Sequence, residues 1–141
     1  MQWKRKGGAV RVNAVYRGES ADIAAARDLV TVLFTELERA SAPVAARAVG
    51  DVLLVVSELV TNAVKYTEGP CGLGLHVTGG VLRIEVWDTS TTPVTVMGAN
   101  PDRVGRHGLE IVTALCGGFK TAATATGKLI SVEMPVPRAD A

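Results

Sequence analysis

Residues 57–67 read Ser-Glu-Leu-Val-Thr-Asn-Ala-Val-Lys-Tyr-Thr, and the reading of this stretch governs the rest of the chain. Glu58, Asn62 and Lys65 fall at i, i+4 and i+7. On a helix they share one face, with neighbours roughly 5–6 Å apart. Leu53, Val56, Leu59, Val60, Ala63 and Val64 around them supply the apolar stripe of a core helix. A polar line on so apolar a helix faces a cavity or a ligand. The carboxylate, carboxamide oxygen and cation on that line are the groups a magnesium–nucleotide site needs.

The chain around this segment has 141 residues, enough for one domain with a single core. An apolar fraction of 48% and a positive mean hydropathy argue against disorder. No run of about 18 apolar residues is present, so no membrane partner is expected. The start, Met-Gln-Trp-Lys-Arg-Lys-Gly-Gly, is basic but has no apolar stretch behind it and does not read as a signal peptide. Residues 1–8 are expected to form a flexible basic terminus, with Lys4, Arg5, Lys6 and Arg11 as a small basic tip. A net charge of +1 gives no reason to expect nucleic-acid binding. Cys71 and Cys116 lack CxxC spacing and nearby histidine pairs, which speaks against a thiolate metal site. Cys116, beside Leu115, reads as a small buried hydrophobe. Nothing demands an oxidising compartment, and the expected location is the cytoplasm.

Ala9 to Tyr16 alternates around Val10, Val12, Ala14 and Tyr16 as a first strand ending at Gly18. Ser20 is placed to cap a helix with the stripe Ile23, Ala26, Val30, Phe34 and Leu37, leaving Glu36, Glu38 and Arg39 outside. Ser41 and Pro43 start a second helix, which runs to about Thr67 and ends at Glu68-Gly69-Pro70. Leu73, Leu75 and Val77 alternate as a strand, Gly79-Gly80 turns a hairpin, and Val81 to Asp88 returns. Thr89 to Val104 is a loop of about 16 residues, a length that in a compact domain is usually functional. A short helix over Gly108–Leu115 and two strands, Phe119–Ala125 and Lys128–Val136, complete the order. The pattern predicts an α+β two-layer sandwich: a mixed, mostly antiparallel sheet covered on one face by about three helices. The domain is expected over 9–136, with a tail at 137–141.

Asp88 is the second informative residue. Period two puts it on the side of Leu82, Ile84 and Val86, opposite Arg83 and Glu85. A carboxylate at the core edge of a strand is costly unless something hydrogen-bonds it, and an amino group on a purine ring is a fitting partner. An Asp that turns the chain with Thr89 and Ser90 is the alternative. The third element is Gly105-Arg106-His107-Gly108-Leu109-Glu110-Ile111-Val112. Glycines leading into a helix leave free N–H groups where the helix dipole favours anions, and Arg106 adds a positive charge. His107 either contacts phosphate or has no role. His76 lies on the strand face opposite Leu73, Leu75 and Val77 and reads as solvent-facing. A serine–histidine–acid constellation, a P-loop and a GxGxxG segment after the first strand are all missing.

These three elements, in this order, resemble the Bergerat-type ATP-binding fold of histidine kinases, heat-shock chaperones, gyrase and the bacterial anti-sigma-factor serine kinases. Glu58-Leu-Val-Thr-Asn62-Ala-Val-Lys65-Tyr66 looks like the N box, Asp88 like the start of the first glycine box, and Gly105–Val112 like the second. Gly127-Lys128-Leu-Ile-Ser-Val-Glu-Met-Pro135 is similar to the closing strand. The resemblance covers roughly residues 10–136. It departs from the pattern at Ser90 and Thr92, which stand where glycines are usual, at Gly105, displaced by one residue, and at Lys128, which replaces the usual threonine.

The resemblance implies that Asn62 ligates Mg2+ through its amide oxygen, a hard donor suited to that ion. It makes Glu58 the catalytic group that orients or deprotonates an attacking hydroxyl or water. Lys65, Tyr66, Asp88, Gly105, Arg106, His107, Gly108 and Leu109 become the ATP-binding residues, with Asp88 on the adenine amino group. Residues 89–107 form a lid over the phosphates, to which Arg103 or Arg106 offers charge. A lone domain of this kind is similar to the anti-sigma-factor serine/threonine kinases, so the expected partners are a sigma factor or a small antagonist protein, with a homodimer possible. A nucleotide-binding regulatory module without catalysis is the alternative.

Overall fold

The computed structural model describes residues 2–6, 9–90 and 107–139, with residues 2–6, 107 and 108 as backbone alone. The elements are β1 (Gln2–Lys6), β2 (Ala9–Tyr16), α1 (Ala21–Arg39), α2 (Ala46–Tyr66), β3 (Cys71–Thr78), β4 (Val81–Asp88), α3 (His107–Cys116), β5 (Lys120–Ala123) and β6 (Lys128–Pro135). The strands form one sheet in the order β1-β2-β3-β4-β6-β5. Every described pairing is antiparallel, so the mixed component expected from the sequence is not present among these strands. α1 packs on β2 and β3, α2 on β3 and β4, and α3 on β6; α2 lies against both other helices. This is the two-layer α+β sandwich predicted from the alternation.

The alternation sorts the sheet into its two faces. Val10, Val12, Leu73, Leu75, Val77, Leu82, Ile84, Val86, Ile130, Val132 and Met134 are buried against the helices. Arg11, Asn13, His76, Arg83 and Glu85 share the other face. There His76 lies near the Arg11 guanidinium (3.4 Å) and the Thr78 hydroxyl (3.0 Å), as a surface residue. The β3–β4 hairpin closes through Gly79 and Gly80 at φ +57° and +77°, the left-handed pair that a two-residue turn of the right twist requires.

Several details depart from the sequence reading. Gln2–Lys6, expected as a frayed terminus, pairs with β2 from Gln2↔Asn13 to Lys6↔Ala9. Ser20 occupies the N-cap of α1 but makes no capping bond. The first-turn N–H groups of Asp22 and Ile23 donate to the Glu19 and Ser20 carbonyls, and the Asp22 carboxylate accepts the N–H groups of Gly18 (2.8 Å) and Glu19 (2.7 Å) ahead of the helix. The buried stripe of α1 includes Leu29 and Leu33, while Phe34 is half-buried. Glu36, expected outside, is only 6% exposed and pairs with Arg39 at 3.4 Å. α2 starts at Ala46 rather than near Ser41, which sits at φ 59°. The segment after β6 is fastened to the residues ahead of α2: Ala45 N–H donates to Pro137 O, Ala139 N–H to Pro43 O, and Arg138 Nη2 to Ser41 O.

Candidate functional site

α2 delivers the polar line as the spacing requires. Val52, Val55, Val56, Leu59, Val60 and Ala63 are buried. Glu58 and Asn62 are half-buried, and Lys65 and Tyr66 are exposed, Tyr66 at 42%. At about 100° per residue, Asn62 stands at the flank of the buried arc, with Glu58 and Lys65 farther out. No hydrogen bond or ion pair engages the Asn62 amide or the Glu58 carboxylate among the described residues. Ser57, by contrast, is fully used: it donates to Leu53 O at 2.7 Å and accepts from Arg27 Nη1 at 2.9 Å.

The end of α2 and the end of β4 meet at one end of the sheet. Thr67–Pro70 leads directly from α2 into Cys71, which pairs with Asp88. A Cβ on Gly69 would come within 2.7 Å of Thr89 Oγ1, and one on Gly18 would overlap the Gly69 carbonyl oxygen. The register then lines up Tyr16, Cys71, Asp88 and Lys128 across β2, β3, β4 and β6. All four have the parity of the core-facing residues of their strands.

Within this row Asp88 is 2% exposed and Lys128 8%. Lys128 Nζ lies 3.1 Å from Asp88 Oδ2, and Ser90 N–H donates to Asp88 Oδ1 at 2.8 Å. The turn reading of Asp88 is seen directly, through Ser90, and the carboxylate is also buried on the core face as its parity requires. A Cβ on Gly127 would overlap the Asp88 carbonyl oxygen, so only glycine lets β6 begin this close to β4. Burial pushes the Cys71 thiol up to about 11, helped by the charges of Asp22 and Asp88. Burial likewise pushes the Tyr16 phenol up to about 12, with Cys71, Asp22 and Asp28 adding to it. Tyr16 Oη and Thr67 Oγ1 are buried polar atoms without a hydrogen-bond partner among the described residues.

Leu109 is buried on α3, which packs against α2 and β6. Gly105, Arg106, Arg103 and most of the loop read as a lid lie outside the described residues, as do the side chains of His107 and Gly108. Cys116 is half-buried rather than buried, and its thiol is raised by burial and by Asp51. The sequence reading noted Lys128 only as a replacement for threonine. Its signal was available, because Lys128 has the same parity as Ile130, Val132 and Met134, as Asp88 does with Leu82, Ile84 and Val86.

For a magnesium ion, Asn62 offers a half-buried oxygen donor. The described residues contain no group of three or more His, Cys, Asp or Glu able to hold a metal by themselves. That donor set fits an ion that takes one protein oxygen and completes its octahedron with phosphate and water. For the base of a nucleotide, Asp88 keeps acceptor capacity beyond its two present bonds.

An antiparallel sheet with one helical layer, a helix bearing Glu58, Asn62 and Lys65, and a buried acid at the adjoining strand end define a nucleotide-binding ATPase domain. The chain belongs to the family of histidine kinase-like ATPase domains, whose family model matches residues 19–132. ATP binding is implied by that membership. The chain is also similar to the crystal structure of the RsbU and RsbW domains of Rv1364c from Mycobacterium tuberculosis, with 16% identity and a TM-score of 0.66. The match covers 89% of this chain but 32% of that one, and it shows a shared fold. Comparison with the curated proteins gives no match. No described helix is long and apolar enough to cross a membrane.

Proposed function

We propose that this protein is a magnesium-ATP-binding regulator of the anti-sigma-factor type, acting in the cytoplasm as a serine/threonine kinase on a small antagonist protein. The observation that carries the reading is the convergence of two otherwise unrelated polar features at one end of the sheet. One is the line on α2, whose Glu58 and Asn62 have no partners among the described residues. The other is the buried Asp88 at the end of β4, reached from α2 through Thr67–Pro70. In this reading Asn62 holds Mg2+, which neutralises phosphate charge when bound. Asp88 takes the base, Lys65 and Arg106 take phosphate, and the main-chain N–H groups at Gly105, His107 and Gly108 cradle it. Tyr66 and Leu109 border the nucleotide, and Glu58 accepts the proton of the attacking hydroxyl. A sigma factor is the further partner, and a homodimer is part of the proposal.

One observation favours a second reading, a nucleotide-binding module without turnover. Both Asp88 oxygens already have partners, in Ser90 N–H and Lys128. The test is transfer of labelled phosphate from magnesium-ATP to candidate antagonist proteins. Phosphoserine or phosphothreonine that disappears with Glu58→Gln supports the kinase, while ATP binding with no transfer to any partner supports the module. Saturation at about 100 times Kd stabilises a binder by about 2.7 kcal/mol. A melting temperature unmoved by millimolar magnesium-ATP would overturn both readings.

A further inference from the structure

Lys128 is an unusual occupant of its position. It is a charged side chain, 8% exposed, on the otherwise apolar core face of β6, beside Ile130, Val132 and Met134. Asp88 is its only partner among the described residues, at 3.1 Å. An ammonium carries more N–H donors than one carboxylate oxygen consumes. A buried donor left over is costly, and so asks for an acceptor. The same end of the sheet holds the Thr67 hydroxyl, on a residue 8% exposed, and the buried Tyr16 Oη, neither with a hydrogen-bond partner among the described residues. Gly127 brings the start of β6 against the Asp88 carbonyl, which sets the Lys128 backbone beside Asp88. The recognition unit at this end is therefore a carboxylate beside an ammonium, an acceptor next to a donor.

That pairing has a defined complement. Adenine presents an amino donor beside a ring-nitrogen acceptor, and guanine presents a carbonyl acceptor beside ring N–H and amino donors. A carboxylate alone repels the guanine carbonyl oxygen. With an ammonium adjacent, that oxygen gains a donor while the carboxylate accepts from the ring N–H or amino group. We propose that Lys128 is a specificity-determining residue that donates directly to the purine, so that the site takes 6-oxopurine nucleotides as well as ATP. This rests on the reading of Asp88 as the base-binding acid.

ATP and GTP share the triphosphate, so the ratio of their dissociation constants isolates the base end. By isothermal titration with Mg2+, the wild-type protein is expected to bind GTP within about tenfold of ATP. Lys128→Thr and Lys128→Met are expected to weaken GTP by about tenfold or more relative to ATP, the scale of one charged hydrogen bond. Lys128→Arg, which keeps the charge and donors, retains GTP binding. Circular dichroism verifies that each variant is folded, and the wild-type GTP, ITP and ATP constants decide the matter if one is not. ATP binding with GTP and ITP excluded by about a hundredfold, or a ratio unchanged in Lys128→Thr, overturns the inference and leaves the ATP site standing. No binding of any nucleotide overturns both.

Discussion

The Asp88–Lys128 pair makes a quantitative prediction about stability that is independent of any ligand. At 3.1 Å and an effective dielectric of about 20, the attraction between the two charges is about 5 kcal/mol. Much of it offsets the desolvation of two groups whose side chains are only 10% and 1% exposed. Asp88→Asn keeps an oxygen for the Ser90 N–H but leaves Lys128 as a buried charge without a counter-ion. It is expected to cost about 3 kcal/mol, the lower end for breaking a buried pair. Lys128→Met leaves the carboxylate stranded at a similar cost. The double variant strands nothing and is expected to lose about 2 kcal/mol or less, so the coupling is about 4 kcal/mol. Urea unfolding of the four proteins at neutral pH, with m-values compared, measures the cycle. Losses that add to within about 0.5 kcal/mol would refute the argument, because additivity is the behaviour of sites that do not interact.

Further outcomes follow from the same corner and from α2. The Cys71 thiol is raised to about 11 by burial first and then by Asp22 and Asp88. The folded state therefore holds that proton more tightly than the unfolded chain does. Its contribution is fully present below the ordinary thiol value of about 9 and is lost as pH rises through 11. Cys71→Ala should flatten the decline in stability over that window, and at pH 8 a thiol reagent should modify the half-buried Cys116 well before Cys71; equal fast rates would contradict it. Two glycines should respond with opposite sign. Gly127→Ala forces a Cβ into backbone at Asp88 and Thr89 and should cost about 2–3 kcal/mol. Gly50→Ala, exposed inside α2 with nothing within 4 Å of the added Cβ, should stabilise by about 0.5–1 kcal/mol in thermal or urea melts.

The sequence made legible what depends on local periodicity. The apolar arc of α2, the strand faces of β2, β3, β4 and β6 and the Gly79-Gly80 turn all follow from spacing, and the position of Asp88 on the core face followed from period two. What the spacing could not show was which strand would lie beside which. β6 pairs with β4 across an intervening α3 and β5, and only that long-range register sets Lys128 against Asp88. The burial of Glu36 has the same origin, since the helix pattern places it beside Leu37 and tertiary packing decides that it is covered. Asp22, in the first turn of α1, reaches back to the chain ahead of the helix because one carboxylate oxygen can accept two N–H groups at once, and spacing alone does not show that contact. Gln2–Lys6 carries too many charges to look like a strand, and its pairing comes from the free edge that β2 offers.

α2 is gripped at both of its ends. Pro137, Arg138 and Ala139 bond to residues 41–45 ahead of it, and beyond its last turn Gly18 and Thr89 crowd Gly69. A ligand that meets Glu58, Asn62 and Lys65 thus encounters a rigid platform whose ordering entropy was spent during folding. Differences in affinity among ligands should then reflect the groups they present to the helix, and amide exchange along α2 should be slow before a ligand arrives. The grip also sets Ala139 beside the start of α2, at the opposite end of that helix from Asn62 and Lys65.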